Sequence, residues 1–211
     1  MKKITLLWFL CFTNIALTQE KMITHEGLLY FEASVPLFEE IKARNEIATC
    51  ILNTKTGEIF SLALVKNFRF KMKLMEDHFN ENYMESNRYP KATFKGIIED
   101  FNYDNICILP KEFKLKGRLT LHGQSKLITT TLFLRKTRDG LEIISNFNIN
   151  SADYNIKIPQ MLSMKVSKIV NINAQFIVKD IYLPKQSLRA RPNLSNSNLK
   201  PVFSILSEDT R

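Results

Sequence analysis

Phe113–Leu121, FKLKGRLTL, alternates without a break. Phe113, Leu115, Leu119 and Leu121 fall on one set of positions, and Lys114, Lys116, Arg118 and Thr120 fall between them. Successive side chains of an extended chain point to opposite faces, so a period of two sets one face on an apolar interior and the other in water. Gly117 lies on the inward set, where a missing side chain allows a bend or leaves space.

Reading outward from that strand, the same period recurs. Ile128, Thr130, Leu132 and Leu134 form the next set, and Leu141, Ile143, Ser145, Phe147 and Ile149 another. Between them stands Arg138-Asp139-Gly140, and Asp-Gly between two alternating runs is a hairpin signal. The longest set is Val166, Lys168, Val170, Ile172, Ala174, Phe176 and Val178. Upstream, strands are predicted at Leu28–Val35, Ile47–Leu52, Glu58–Val65 and Thr93–Phe101, with Asn53-Thr54-Lys55-Thr56-Gly57 as a turn. One region breaks the period. Met75, His78, Phe79 and Tyr83 are near helical spacing within Met72–Ser86, and Pro90 closes that stretch as a short helical insert. The fold class is therefore all-β, with about eight antiparallel strands, which close into a barrel or fold as a sandwich.

The two ends read differently from this body. Lys2 and Lys3 precede a 14-residue run, Ile4–Leu17, that is mostly apolar. As a helix it would be roughly 21 Å long, short of the ~30 Å hydrocarbon core of a bilayer. With Ala16-Leu17-Thr18 ahead of Gln19, residues 1–18 are expected to be a cleavable signal peptide, which places the protein in the periplasm or outside the cell. The expected domain then runs over residues 19–184. Residues 185–211, rich in Ser, Asn, Pro and Arg, are expected to be a mobile basic tail. The formal charge of +9 divides as two in the leader, three in the tail and four in the body. That mild excess suits an anionic membrane surface or head group and, in an exported chain, argues against nucleic acid. Cys50 and Cys107 are either bridged or two separate buried thiols, and the strand context favours the second.

Catalytic signatures are missing. The chain has no GxSxG, phosphate-binding loop or dinucleotide glycine pattern. Its three histidines, His25, His78 and His122, occur in no HxH or HExxH pair, so no metal and no cofactor is expected. Glu76-Asp77 beside His78 has the residue types of an acid–base pair, but adjacent carboxylates on a short helix ordinarily point into water.

The order and spacing of several short pieces carry a resemblance. Phe68, Phe70 and Met75 lead into His78-Phe79, then Tyr83-Met84 and Tyr89-Pro90. Ala92-Thr93-Phe94-Lys95-Gly96, Leu119-Thr120-Leu121-His122-Gly123 with Lys126, and Phe147-Asn148-Ile149 through Tyr154-Asn155-Ile156 follow. Over about residues 28–180 the chain resembles the YceI-like polyisoprenoid-binding family. It departs from that pattern at Thr49-Cys50 and Tyr154-Asn155, where relatives often carry glycine, and at Gln124, usually apolar. The resemblance implies a lipocalin-like antiparallel barrel that holds an isoprenoid or other long-chain lipid. The cavity lining expected on that basis is Phe60, Phe68, Phe70, Phe113, Leu115, Leu119, Leu121, Leu132, Phe147, Ile172 and Phe176. His78, His122, Lys91 and Lys95 are the expected head-group or rim residues. Periodicity alone favours a filled core and the resemblance reverses that; an exported, filled barrel would work through its surface or tail as an envelope-stress or interaction protein. The sequence leaves room for a homodimer.

Overall fold

The alternation of Phe113–Leu121 is realised residue by residue: Phe113, Leu115, Gly117 and Leu119 are buried while Lys114, Lys116 and Arg118 are exposed. The structure, a computed structural model, describes residues 20–181. The expected leader and basic tail lie outside the described residues.

The strands are β1 (Lys21–Ser34), β2 (Lys42–Asn53), β3 (Glu58–Leu64), β4 (Arg69–Phe70), β5 (Lys91–Ile98), β6 (Lys111–Leu121), β7 (Gln124–Thr137), β8 (Gly140–Asn150) and β9 (Val166–Asp180). All pairings are antiparallel. β1 pairs with β9 on one side and β2 on the other, so eight strands close into a barrel with no free edge. The ninth, β4, is a two-residue piece. β3 pairs with β2 only over Thr49–Leu52, then leaves in a 3-10 turn at Val65–Asn67, and β4 takes its place against Ala43 and Arg44. The barrel expected from the resemblance is thus the observed fold.

Register sets the inward layers. Phe113 faces Leu132, Leu132 faces Ser145, Ser145 faces Ala174 and Ala174 faces Leu29 around five neighbouring strands. Leu52, Ile98, Ile106, Leu134, Leu141 and Val178 are each no more than 2% exposed. They lie where β2, β5, β7 and β9 end and β8 begins, with Ile106 in the β5–β6 connection, so that end of the barrel is a solid plug. On the outside, Glu142 is buried beneath Arg135, whose Nε donates to it, and Gln175 donates a further bond of 3.2 Å. The Arg135 hydrogen bond holds the Glu142 carboxyl below the usual carboxylate range, against the opposing effect of burial.

Two differences from the sequence reading, at the start of β1 and at Cys107, have local causes. β1 begins at Lys21 rather than Leu28, because register shifts between Thr24 and Gly27 and between Gly27 and Leu29 break its period. The helical insert falls inside the expected stretch, as α1 (Lys73–His78) followed by a π-helical turn, Phe79–Tyr83. The Asn80 side chain donates to the Glu76 carbonyl, while the Met84 amide reaches Phe79, and the ladder widens. Both cysteines are free, but Cys107 is exposed rather than buried, since it lies beyond the turn at Tyr103–Asn105 and ahead of β6. Burial pushes the Cys50 thiol up to about 12.

Candidate ligand cavity

Opposite the plug the barrel is hollow. A cavity of about 510 Å³ runs among β1, β3 and β5–β9 and is bordered at its mouth by the Val35–Ile41 connection, α1 and the residues around Leu162. This size falls within the range of small-molecule pockets, roughly 300–1,000 Å³.

Glycines in the wall keep the lumen open. Gly96 and Gly117 are cross-strand partners, and a Cβ on Gly117 would lie 2.3 Å from Cζ of Phe94. The Phe94 ring is therefore laid against the backbone of β5 and β6 instead of projecting across the barrel. Phe176 does the same at Gly27, where a Cβ would lie 2.3 Å from its Cδ1. Small inward residues, Ser61, Ala63 and Ala174, extend the free space.

One side of the mouth is an aromatic cluster. Phe79 on the π-turn stacks on Phe31 of β1 at 5.4 Å and meets Phe70 of β4 at 5.1 Å and Phe68 at 5.9 Å. All four rings border the cavity. Around them, Glu76 accepts from Arg69, Lys73 and the Phe70 amide, and Asp77 accepts from Lys73 at 2.7 Å. Glu76 thus holds α1 to β4, while Asp77 pairs with Lys73 within α1 itself.

Of the expected lining, Phe68, Phe70, Leu115, Leu119, Leu121, Leu132, Phe147, Ile172 and Phe176 border the cavity. Phe60 does not. It pairs with Ile51 and with the exposed Lys95, on the outer face, while its neighbours Ile59 and Ser61 point inward. Phe113 has inward parity but lies in the plug beside Phe101. Among the expected rim residues, His78 borders the cavity and is exposed. Lys95 stands on the outer wall and Lys91 is exposed at the start of β5, neither bordering the cavity. His122 is buried in the β6–β7 turn, where both it (φ 49°) and Gly123 (φ 71°) are left-handed, as a two-residue hairpin demands. Its Nδ1 donates to the Tyr154 carbonyl at 3.0 Å, its Nε2 is 3.2 Å from Glu85, and Tyr89 packs on the ring. It fastens three loops together and does not face the lumen. Asn155, where relatives often carry glycine, is also left-handed (φ 55°), a conformation asparagine tolerates.

The polar groups bordering the cavity that sequence reading missed include Tyr30, Glu39, Tyr83 and Lys165. Burial raises the phenols of Tyr83 and Tyr30, with Glu32 adding to the effect at Tyr30, so both stay neutral donors. Lys165 and Glu39 sit in connections without periodicity, which left no signal. No group of three or more metal-ligating side chains occurs among the described residues.

A closed antiparallel barrel, solid at one end and hollow with apolar walls at the other, belongs to the class of small barrels with room inside for one ligand. The YceI-like domain matches residues 44–178, and this chain belongs to that family. Solved structures agree on the fold. A polyisoprenoid binding domain from Saccharophagus degradans, implicated in plant cell wall breakdown, superposes with a TM-score of 0.67 at 14% identity, covering 77% of this chain and 99% of that one. BcnA of Burkholderia cenocepacia gives 0.58 at 15% identity, covering 72% and 96%. The YceI protein of Campylobacter jejuni gives 0.53 at 15%, covering 69% and 88%. No curated protein matches the chain.

Proposed function

We propose that this protein is an exported carrier that holds a long apolar lipid of isoprenoid type inside the barrel, for sequestration or transport. One observation carries the reading: the upper half of the barrel is hollow, open at one end and walled by Phe, Leu and Ile. Burying hydrocarbon there is favourable by about 0.8 kcal/mol per CH₂, much of it offset by ordering the chain. The polar groups near the mouth, His78, Lys165 and the neutral phenols, would meet a head group. The description of the Saccharophagus domain as polyisoprenoid-binding supports the ligand class. Export rests on residues 1–18. The partner surface is an anionic membrane, and a homodimer is compatible with the barrel. Binding of this kind needs no catalytic group, so the protein is read as a binding protein and not an enzyme.

Native mass spectrometry of the protein purified from its own cell envelope tests this. A co-purifying lipid of isoprenoid mass is expected. A ligand-free protein whose lumen is filled by interdigitated Phe and Leu side chains would overturn it. Truncation after Pro184 is expected to leave lipid binding intact. If the tail were the working part, truncation would instead abolish partner binding.

A further inference from the structure

The connections at the hollow end carry apolar side chains that no packing argument explains. Leu37 is fully exposed (102%), Met161 is 89% exposed and Met164 75%. Each stands in a segment that also lends a residue to the cavity wall: Phe38 beside Leu37, and Leu162 and Lys165 among the methionines. The same holds for α1, where Leu74 is 60% exposed and Met75 borders the cavity. Apolar tips thus surround the entrance. Exposed apolar clusters of this kind mark interaction sites.

Charge selects the occupant. In these segments Glu40 is paired with Lys42, and Lys73 with Glu76 and Asp77. Lys71 and Lys165 enter no salt bridge among the described residues, nor does Lys157 just upstream; in these segments Glu39 and, on the π-turn beyond α1, Glu81 are the acids that likewise enter none. Basic residues beside apolar tips suit the interface of an anionic bilayer. At the plugged end Ile108 and Leu109 are also exposed, but they belong to one connection and border no cavity.

We infer that the hollow end is a membrane-docking face: Leu37, Met161 and Met164 enter the interface of an anionic phospholipid bilayer, with Lys71, Lys157 and Lys165 on its head groups. This rests on the carrier reading and deepens it. A lipid leaving the bilayer would pass between apolar tips into an apolar lumen without crossing water.

Flotation of the full chain with vesicles of phosphatidylglycerol and phosphatidylcholine tests the face. The wild type is expected to float with these vesicles, less so at high salt. Leu37→Ser/Met161→Ser/Met164→Ser is expected to weaken partition at least about tenfold, whereas Ile108→Ser/Leu109→Ser leaves it unchanged. Circular dichroism confirms that both variants are folded. Equal losses in the two variants, or no loss in the first, overturn the proposal. So does a wild type that ignores vesicles while the triple variant dissociates a dimer, which would make a second copy the occupant. Native mass spectrometry keeps the two readings apart. A protein that docks but carries no lipid sinks the carrier and leaves the face, and one that carries lipid but never docks does the reverse.

Discussion

Gly117 shows how one missing methyl group shapes the lumen. Gly117→Ala would place a Cβ 2.3 Å from Phe94 Cζ and 2.6 Å from the Lys95 carbonyl oxygen, so the ring must move toward the cavity and the β5–β6 backbone must give as well. The expected outcome is less co-purified lipid by native mass spectrometry and a stability loss of about 1–3 kcal/mol in urea, typical of overpacking. Glu142 tests a different residue-scale force, since it is buried and holds two side-chain donors. Glu142→Gln is expected to cost about 1–3 kcal/mol. Because the folded-state carboxyl is depressed, its contribution is complete above the unfolded value of ~4.3 and fades as pH falls through the lower folded value. The variant's urea midpoint should therefore approach that of the wild type below about pH 4. Parity was legible in the sequence and depth was not. Phe113 has the inward parity it was assigned, yet sits below the cavity floor. Phe60 lies on the outer set of β3, whose inward set supplies the small residues Ser61 and Ala63 that a hollow barrel needs.

At the scale of elements, the long strands were legible because alternation runs over many residues, and the bulged start of β1 was not, because Gly27 interrupts it. The insert was visible as a break in period, but its pairing with β4 depends on contacts from distant segments. Four aromatic rings and the Glu76 hydrogen bonds hold it over the mouth. Phe79 touches all three other rings of that cluster. Phe79→Ala is expected to cost about 2–3 kcal/mol, less than a fully buried ring because Phe79 is partly exposed. Local opening should be visible before global unfolding. Amides of Lys73–Tyr83 are expected to lose hydrogen-exchange protection while those of β6 and β7 keep theirs. Equal loss throughout the barrel would mean that the insert is part of the core and not a separable cover.

The division of the whole barrel into a plug and a hollow separates stability from binding. A filled core and a cavity compete for the same inward residues, and sequence periodicity by itself points to the filled core. The molecule resolves the conflict by assigning them to opposite ends. Leu52, Ile98, Ile106, Leu134, Leu141 and Val178 pack at one end on their own, and β1 closes the eight-stranded barrel by pairing with both β2 and β9. The delipidated protein is therefore expected to remain folded and to unfold in one cooperative transition. A lipid that binds only the folded state adds RT ln(1 + [L]/Kd), about 2.7 kcal/mol when present at a hundred times Kd. For a domain of this size each kcal/mol moves Tm by roughly 2–4 °C, so stripping the lipid should lower Tm by about 5–10 °C. Differential scanning calorimetry before and after solvent extraction measures this directly. Complete unfolding on extraction would show that the hollow half needs its ligand to stand. An unchanged Tm, with lipid present beforehand, would place that lipid outside the barrel.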